Sequence, residues 1–252
     1  MGTSDKRSKA LEAAPAPNGG RTLTYSSPAI RDRRRRILEE TRNLIAEQGI
    51  SDFSMHELCK RAGVAKRTLY NAFQTRERLI AVAIQEYFTD YLTRINYRSE
   101  VGTLQRNIER IIAVTRRNRK IRNYIRAIFA IYFSPEVNAD IWETMHRMGT
   151  SPNLEWIHRL HGRRQLQPWI DPQRLADDLV RYEYATMNDW ARGLIGDDEI
   201  ISRLLLSYLT FMAGATRGAA RTEILAMIDR VVRDGVDAAL GNGAAPQKAV
   251  AA

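Results

Sequence analysis

The chain has 252 residues, 44% of them hydrophobic and 27% charged, with 39 Lys and Arg against 29 Asp and Glu for a formal net charge of +10. That length allows a small domain and a larger one sharing a helical core, and the positive balance favours an anionic partner, nucleic acid or acidic membrane, without choosing between them. The one cysteine, Cys59, excludes an intrachain disulfide. No run approaches 18 apolar residues and the N-terminus has no apolar signal core, so the expectation is a soluble, cytoplasmic protein with no membrane partner.

Residues 1–26 are small and polar, broken by Pro15, Pro17, Gly19 and Gly20. They carry too little apolar surface to offset ordering entropy and are expected to form a disordered basic arm, with a similar tail at 241–252. Ser27-Pro28 gives an N-cap with proline at N1, and Ile30, Ile37, Leu38, Leu44 and Ile45 stripe a helix closing at Gly49. The start of that helix carries Arg31 and Arg33 to Arg36 against a lone Asp32. Such a run is a solvated face in most settings; beside a DNA-reading helix it becomes a phosphate clamp, with Arg34 and Arg35 the candidates.

Ser54 followed by Glu57 is a capping box that starts a second helix at Met55. Met55, Leu58, Cys59 and Ala62 follow the helical apolar spacing, and Gly63 stands where a left-handed residue ends the helix. From Lys66 a third helix buries Leu69 and Phe73 and turns Lys66, Arg67, Thr68, Tyr70 and Asn71 outward. Two short helices hinged at a glycine are the helix-turn-helix layout, whose second helix lies in the major groove. Thr75 then caps a connecting helix to about Tyr97.

Beyond it the pattern stays helical. Ser134-Pro135, Ser151-Pro152 and Asp171-Pro172 repeat the cap-then-proline signal, and no strand-like alternation bounded by hairpin turns appears. The fold class is therefore all-α: an N-terminal three-helix domain at 27–74 and a larger helical domain at 75–240.

From Ser27 to about Phe88 the chain resembles the DNA-binding domain of the TetR family of transcriptional regulators. The matching run is AEQG at Ala46 to Gly49, Phe53-Ser54, Leu58-Cys59, AGV at Ala62 to Val64, Thr68-Leu69-Tyr70, Phe73 and Thr75 to Leu79. It departs from the family at Ala65, where Ser or Thr often opens the recognition helix, at Ala72, where His often stands, and at Cys59, where Ala is usual. Lys66 and Arg67 suit guanine O6 and N7, with Thr68 and Asn71 also within reach of bases. By the resemblance Ser54, Tyr70 and Arg76 are backbone contacts, and Ala65 sits in the same set.

Leu175, Leu179, Tyr182, Met187, Trp190 and Leu194 stripe one helix, and from Ile200 to Met212 a second is apolar over more than one face, with Leu204, Leu205, Tyr208 and Leu209 at its centre. A helix so widely apolar needs neighbours on two sides, supplied either by a second subunit or by the rest of the chain. The resemblance implies the first: a homodimer through a four-helix bundle, with Leu179, Tyr182, Leu204, Leu205, Tyr208 and Leu209 at the interface. Gly214 and Gly218, spaced as GxxxG with Arg217 between, mark close packing at most. Tyr124, Ile128, Phe129, Tyr132, Trp142, Met145, Trp156 and Trp190 make the middle of this domain aromatic and apolar. Each alone packs an ordinary core; together they suit a small-molecule cavity, with His146 and His158 among the polar groups that would orient a ligand. The basic run from Arg116 to Arg126 is an alternative attraction for an anion.

His158 and His161 share a helix face, but nothing at useful spacing completes a metal set, and no nucleophile elbow or phosphate-cradling loop is present. No cofactor or metal is called for, and catalysis has no visible carrier. The expectation is a DNA-binding regulator, most simply a repressor, that binds a double-stranded palindromic operator as a homodimer and is released by a small, largely apolar effector. An architectural DNA-binding protein without ligand control and an enzyme on a helical scaffold are the rivals.

Overall fold

A computed structural model describes residues 28–241; the N-terminal arm, Ser27 and the tail from 242 lie outside the described residues. Within them the chain is helical: α1 Pro28–Gln48, α2 Met55–Ala62, α3 Lys66–Phe73, α4 Arg76–Arg94, α5 Leu104–Arg119, α6 Arg122–Tyr132, α7 Ala139–Gly162, α8 Pro172–Ala191, α9 Ile200–Ala215 and α10 Gly218–Asp234, closed by a 3-10 turn at Val236–Leu240. The all-α expectation holds.

Capping explains most of the boundaries. The Ser54 side chain accepts from the Glu57 amide at 3.4 Å, while the Glu57 carboxylate turns to Arg61 rather than back to the cap, so only half of the expected box forms. Gly63 ends α2 at φ +62°, a left-handed turn that costs a glycine least. Thr75 accepts from the Arg78 amide at 3.0 Å and starts α4, which ends at Arg94, three residues short of the expected Tyr97. Asp171 accepts from the Arg174 amide at 2.8 Å ahead of Pro172, as its cap-then-proline spelling requires.

The other two such spellings do not start helices. Ser134 accepts from the Glu136 amide inside a turn, and α7 begins after Asn138, whose side chain accepts from the Asp140 amide. Pro152 lies inside α7. A proline there removes the bond to the carbonyl four residues back, that of Met148, at a cost of about 3 kcal/mol. The helix persists because Gly149, Thr150, Asn153, Trp156 and Ile157 are buried on either side of it. Gly214 and Gly218 do not share a helix face either: Gly214 is exposed on α9, while Gly218 opens α10 at φ +59°.

One continuous core links both parts of the molecule. α1 packs on α2 and α4 within its own end of the chain and on α6 of the larger domain. α9 sits centrally, against α5, α8 and α10. α5 is the unusual element, because Asn107, Glu109, Arg110, Thr115 and Asn118 are all buried on it.

Candidate functional site

Two sites take shape. The first is the outer face of α3. Leu69 and Phe73 are buried, which fixes the rotation of the helix and leaves Lys66, Arg67, Tyr70 and Asn71 exposed as a strip at i, i+1, i+4 and i+5, with Thr68 half-buried at its edge. Lys66 Nζ stands 5.8 Å over the Tyr70 ring. Ala65 occupies the N-cap in extended backbone but has no side-chain bond to give the first turn. The Thr68 amide turns to the Ala65 carbonyl at 2.9 Å, which leaves the Lys66 and Arg67 amides facing whatever anion approaches.

The flanking cations divide. Arg76 donates to the Ile50 carbonyl and lies 5.6 Å from the Phe53 ring, so it ties the loop after α1 to α4. Arg34 pairs with Glu86 of α4 and stacks 5.0 Å over Phe73. Arg36 donates to the Ala62 carbonyl at 2.9 Å. Arg36 closes the small domain on itself, while Arg34 and Arg76 fasten that domain to α4 through partners far from them in sequence. Arg31 and Arg33 are exposed beside them, and Arg35 makes an exposed pair with Asp32 at 3.2 Å. Cys59 is half-buried against the core as a free thiol.

The second site is a partly open cavity of about 310 Å³ lined by α4, α5, α6, α7 and α8. Ile128, Phe129 and Met145 line it, as expected. Ile84 and Phe88 of α4, Val114 of α5 and Met187 of α8 complete an apolar wall that the aromatic count had passed over.

Tyr124, Tyr132, Trp142, Trp156 and Trp190 are not in that wall. Tyr132, Trp142 and His146 form a separate stack, in which Tyr132 and His146 Nδ1 are hydrogen-bonded at 2.8 Å and His146 Nε2 meets Asp177 at 3.1 Å. Trp190 is fully buried, donating to Asp197 at 2.7 Å under the Arg122 guanidinium. Trp156 packs toward Tyr208, and Tyr124 meets Tyr87 edge-on beneath α1. These rings are core and scaffold. His158 and His161 are exposed, and among the described residues no three His, Cys, Asp or Glu side chains come close enough to hold a metal. The basic run also disperses: Arg116 pairs with Asp237, Arg117 donates to the Tyr87 hydroxyl and Arg122 reaches the Trp190 carbonyl.

The cavity does contain polar groups, though not those expected. Arg110, 8% exposed in its side chain, donates from Nη2 to Asn153 Oδ1 at 3.0 Å and has Glu183 3.9 Å from Nη1. Tyr184 donates to the Met145 carbonyl at 2.8 Å, and burial raises its phenol pKa well above the usual value, so it stays protonated.

The six residues nominated for a subunit interface are placed differently from the expectation. Leu179, Leu204, Leu205, Tyr208 and Leu209 are buried within one protomer, because α5 and α10 supply the second-side neighbours that α9 requires. Only Tyr182 reaches outward, bonded to Ser207 at 2.6 Å and packed 5.3 Å from Phe211. The exposed strip of α9 is Arg203, Thr210, Phe211 and Gly214, with half-buried Leu206 and Ser207 between.

Residues 37–83 match the model of bacterial regulatory proteins of the tetR family. The N-terminal domain belongs to the TetR family. Its helix-turn-helix is formed by α2 and α3, and the match supports a DNA-binding transcriptional regulator. No curated protein matches the chain. Among solved structures, tylp, a TetR regulator from Streptomyces fradiae, superposes with a TM-score of 0.59 at 22% identity over 86% of this chain and 93% of its own. Salmonella enterica GusR gives 0.55 at 22% identity over 76% and 98%, and NalD, the secondary repressor of the MexAB-OprM multidrug efflux pump in Pseudomonas aeruginosa, gives 0.51 at 20% over 75% and 98%. At these identities the likeness is one of fold, and it extends the TetR-like architecture from α1 through most of the larger domain. No helix among the described residues is long and apolar enough to cross a membrane.

Proposed function

We propose that this TetR-type regulator is a cytoplasmic repressor that binds a palindromic operator as a homodimer and is released when a small, largely apolar effector enters the cavity of the larger domain. One observation carries the reading. Two of the helices that wall the cavity, α4 and α6, are also ones against which α1 packs. A ligand that spreads α4 from α6 moves the ground on which the helix-turn-helix stands.

A dimer reads two half-sites whose centres lie about 34 Å apart, one turn of DNA. Tight binding needs both recognition helices at once, so a small rotation of each α4 costs the specific complex. The dimer surface consistent with the burial pattern is the outer strip of α8 and α9, with Tyr182, Leu206 and Phe211 at its centre and the small residues Ser207 and Gly214 allowing close approach. NalD is a repressor of the same architecture.

The test takes an operator selected from random duplexes by the full-length protein and measures binding with and without members of a chemically diverse apolar library. Compounds that raise the melting temperature should also release the operator. A library in which no compound does either would favour the architectural alternative.

A further inference from the structure

The cavity is not uniformly apolar, and its two unsatisfied atoms are both on α5. Arg110 Nε and Asn118 Oδ1 are buried without a hydrogen-bond partner among the described residues, and both side chains line the cavity. Neither atom is left free by a failure of the surrounding fold: the Arg110 guanidinium is anchored on Asn153, itself fully buried and bonded to the Gly149 carbonyl. Three other buried atoms, Ser99 Oγ and the Tyr124 and Tyr208 hydroxyls, also lack a partner, but none of those residues lines the cavity. A buried donor and a buried acceptor left open on residues that line a cavity mark positions that something else completes. Residues eight apart on a helix lie about 12 Å apart along its axis. Val114, half-way between them, and Ile125, Ile128 and Phe129 opposite make the stretch between apolar.

We infer, resting on the proposal that this cavity takes the effector, that the ligand is an elongated apolar molecule with a polar group at each end. One end is a neutral acceptor received by Arg110 Nε, and the other is a donor received by Asn118 Oδ1, about 12 Å away along α5. The acceptor is neutral because Glu183 already stands 3.9 Å from the Arg110 guanidinium. An anionic head would place two carboxylates around one buried cation, which low dielectric penalises, whereas a carbonyl completes Nε and adds no charge.

Four probes of matched length test this on the full-length protein by calorimetry: methyl 10-hydroxydecanoate, which has both ends; methyl decanoate, which lacks the donor; 1-decanol, which lacks the carbonyl; and 10-hydroxydecanoate, whose head is ionised at neutral pH. The hydroxy ester should bind about tenfold more tightly than either one-ended probe, the size expected of one hydrogen bond to a buried group. Asn118→Leu should erase its advantage over methyl decanoate alone. Arg110→Lys, which keeps a cation opposite Glu183 but has no Nε–H, should erase its advantage over decanol alone. Equal affinities of the three neutral probes for the unmodified protein would overturn the two-ended ligand, as would a hydroxyl preference that survives Asn118→Leu. Tightest binding by 10-hydroxydecanoate would overturn the neutral head. Binding by none of the four, decanol included, would remove the cavity itself as a ligand site and this inference with it, an outcome distinct from binding without discrimination.

Discussion

The two ends of the molecule spend their polar side chains in opposite ways. In the small domain the buried residues are almost all apolar, and the chemistry of α3 lies on an exposed strip of Lys66, Arg67, Tyr70 and Asn71. In the larger domain the chemistry is inside, with half of the buried polar residues of the described chain carried by α5 alone. A surface that meets an anionic polymer needs only a fixed rotation and outward charge. A cavity that selects a small molecule needs buried polar groups held in place by others, at a cost in stability. Function is therefore read from exposure at one end and from incomplete burial at the other.

The sharpest way to break that comparison is to put a charge where the larger domain is closed. Leu205 of α9 is fully buried among helices of its own protomer. Leu205→Asp should cost about 4 kcal/mol or more, because an unpaired carboxylate is driven into an apolar interior. The expected outcome is loss of the folded state, seen as collapse of the circular-dichroism melting transition. Phe211→Asp, on the exposed strip, should instead leave a folded protomer that light scattering finds monomeric and that no longer holds the operator. A folded, monomeric Leu205→Asp together with a dimeric Phe211→Asp would return the interface to the buried face of α9.

Arg67→Ala sharpens the other side. A side chain that reads a base should cost about 1 to 3 kcal/mol on the cognate operator and relax preference at one position, whereas Arg33→Ala, a backbone contact at most, should weaken all duplexes alike. Equal losses on cognate and random DNA for Arg67→Ala would take it out of the reading set.

These outcomes follow how much of the molecule was legible beforehand. The helix-turn-helix could be read because each of its signals is local: a cap at Ser54, a left-handed glycine at 63, an apolar pair at Leu69 and Phe73. The intramolecular contacts of Arg34 and Arg76 were not legible, for the complementary reason. The charge of both residues is visible in the sequence, but Glu86 and the Ile50 carbonyl, which engage them, are distant along the chain. The cavity was legible only in Ile128, Phe129 and Met145, since its shape depends on where five helices fail to fill space. Arg110 carried one usable signal, a charged residue interrupting the stripe Ile108, Ile111, Ile112. The width of the apolar arc on α9 was read correctly, yet the sequence could not say whether a second subunit or α10 would cover it.

Gly149→Ala probes the packing that lines the cavity. A Cβ there would stand 2.8 Å from the Tyr184 hydroxyl and 2.8 Å from Val180 Cγ1, closer than real methyl contacts allow. Overpacking of this kind costs about 1 to 3 kcal/mol. It should lower the melting temperature and, by pushing α8 from α7, weaken every probe of the cavity together. An unchanged melting temperature would show that α7 and α8 are not as closely apposed as the geometry has them.

The smallest effect lies at the start of the recognition helix, where the two ends of the molecule meet the same question of satisfied backbone. Ala65 sits at the N-cap of α3 with φ −71° and ψ 148°, the extended conformation that a capping serine adopts, and has no side-chain oxygen to offer the first-turn amides. Ser54 and Thr75 make that bond for α2 and α4. Ala65→Ser should therefore stabilise the small domain by about 0.5 to 1 kcal/mol, visible as a modest rise in the denaturation midpoint at an unchanged slope. Of the amides a serine there can cap, that of Thr68 already bonds the Ala65 carbonyl at 2.9 Å, and that of Arg67 is the one a DNA phosphate can also take, because the positive end of a helix attracts anions. A serine that occupies the Arg67 amide removes a donor from the DNA while adding a hydroxyl at the interface. Operator affinity should accordingly change by less than the gain in stability, and an affinity that rose in full proportion to stability would mean that folding of α3, rather than its contact with the backbone of the duplex, limits binding.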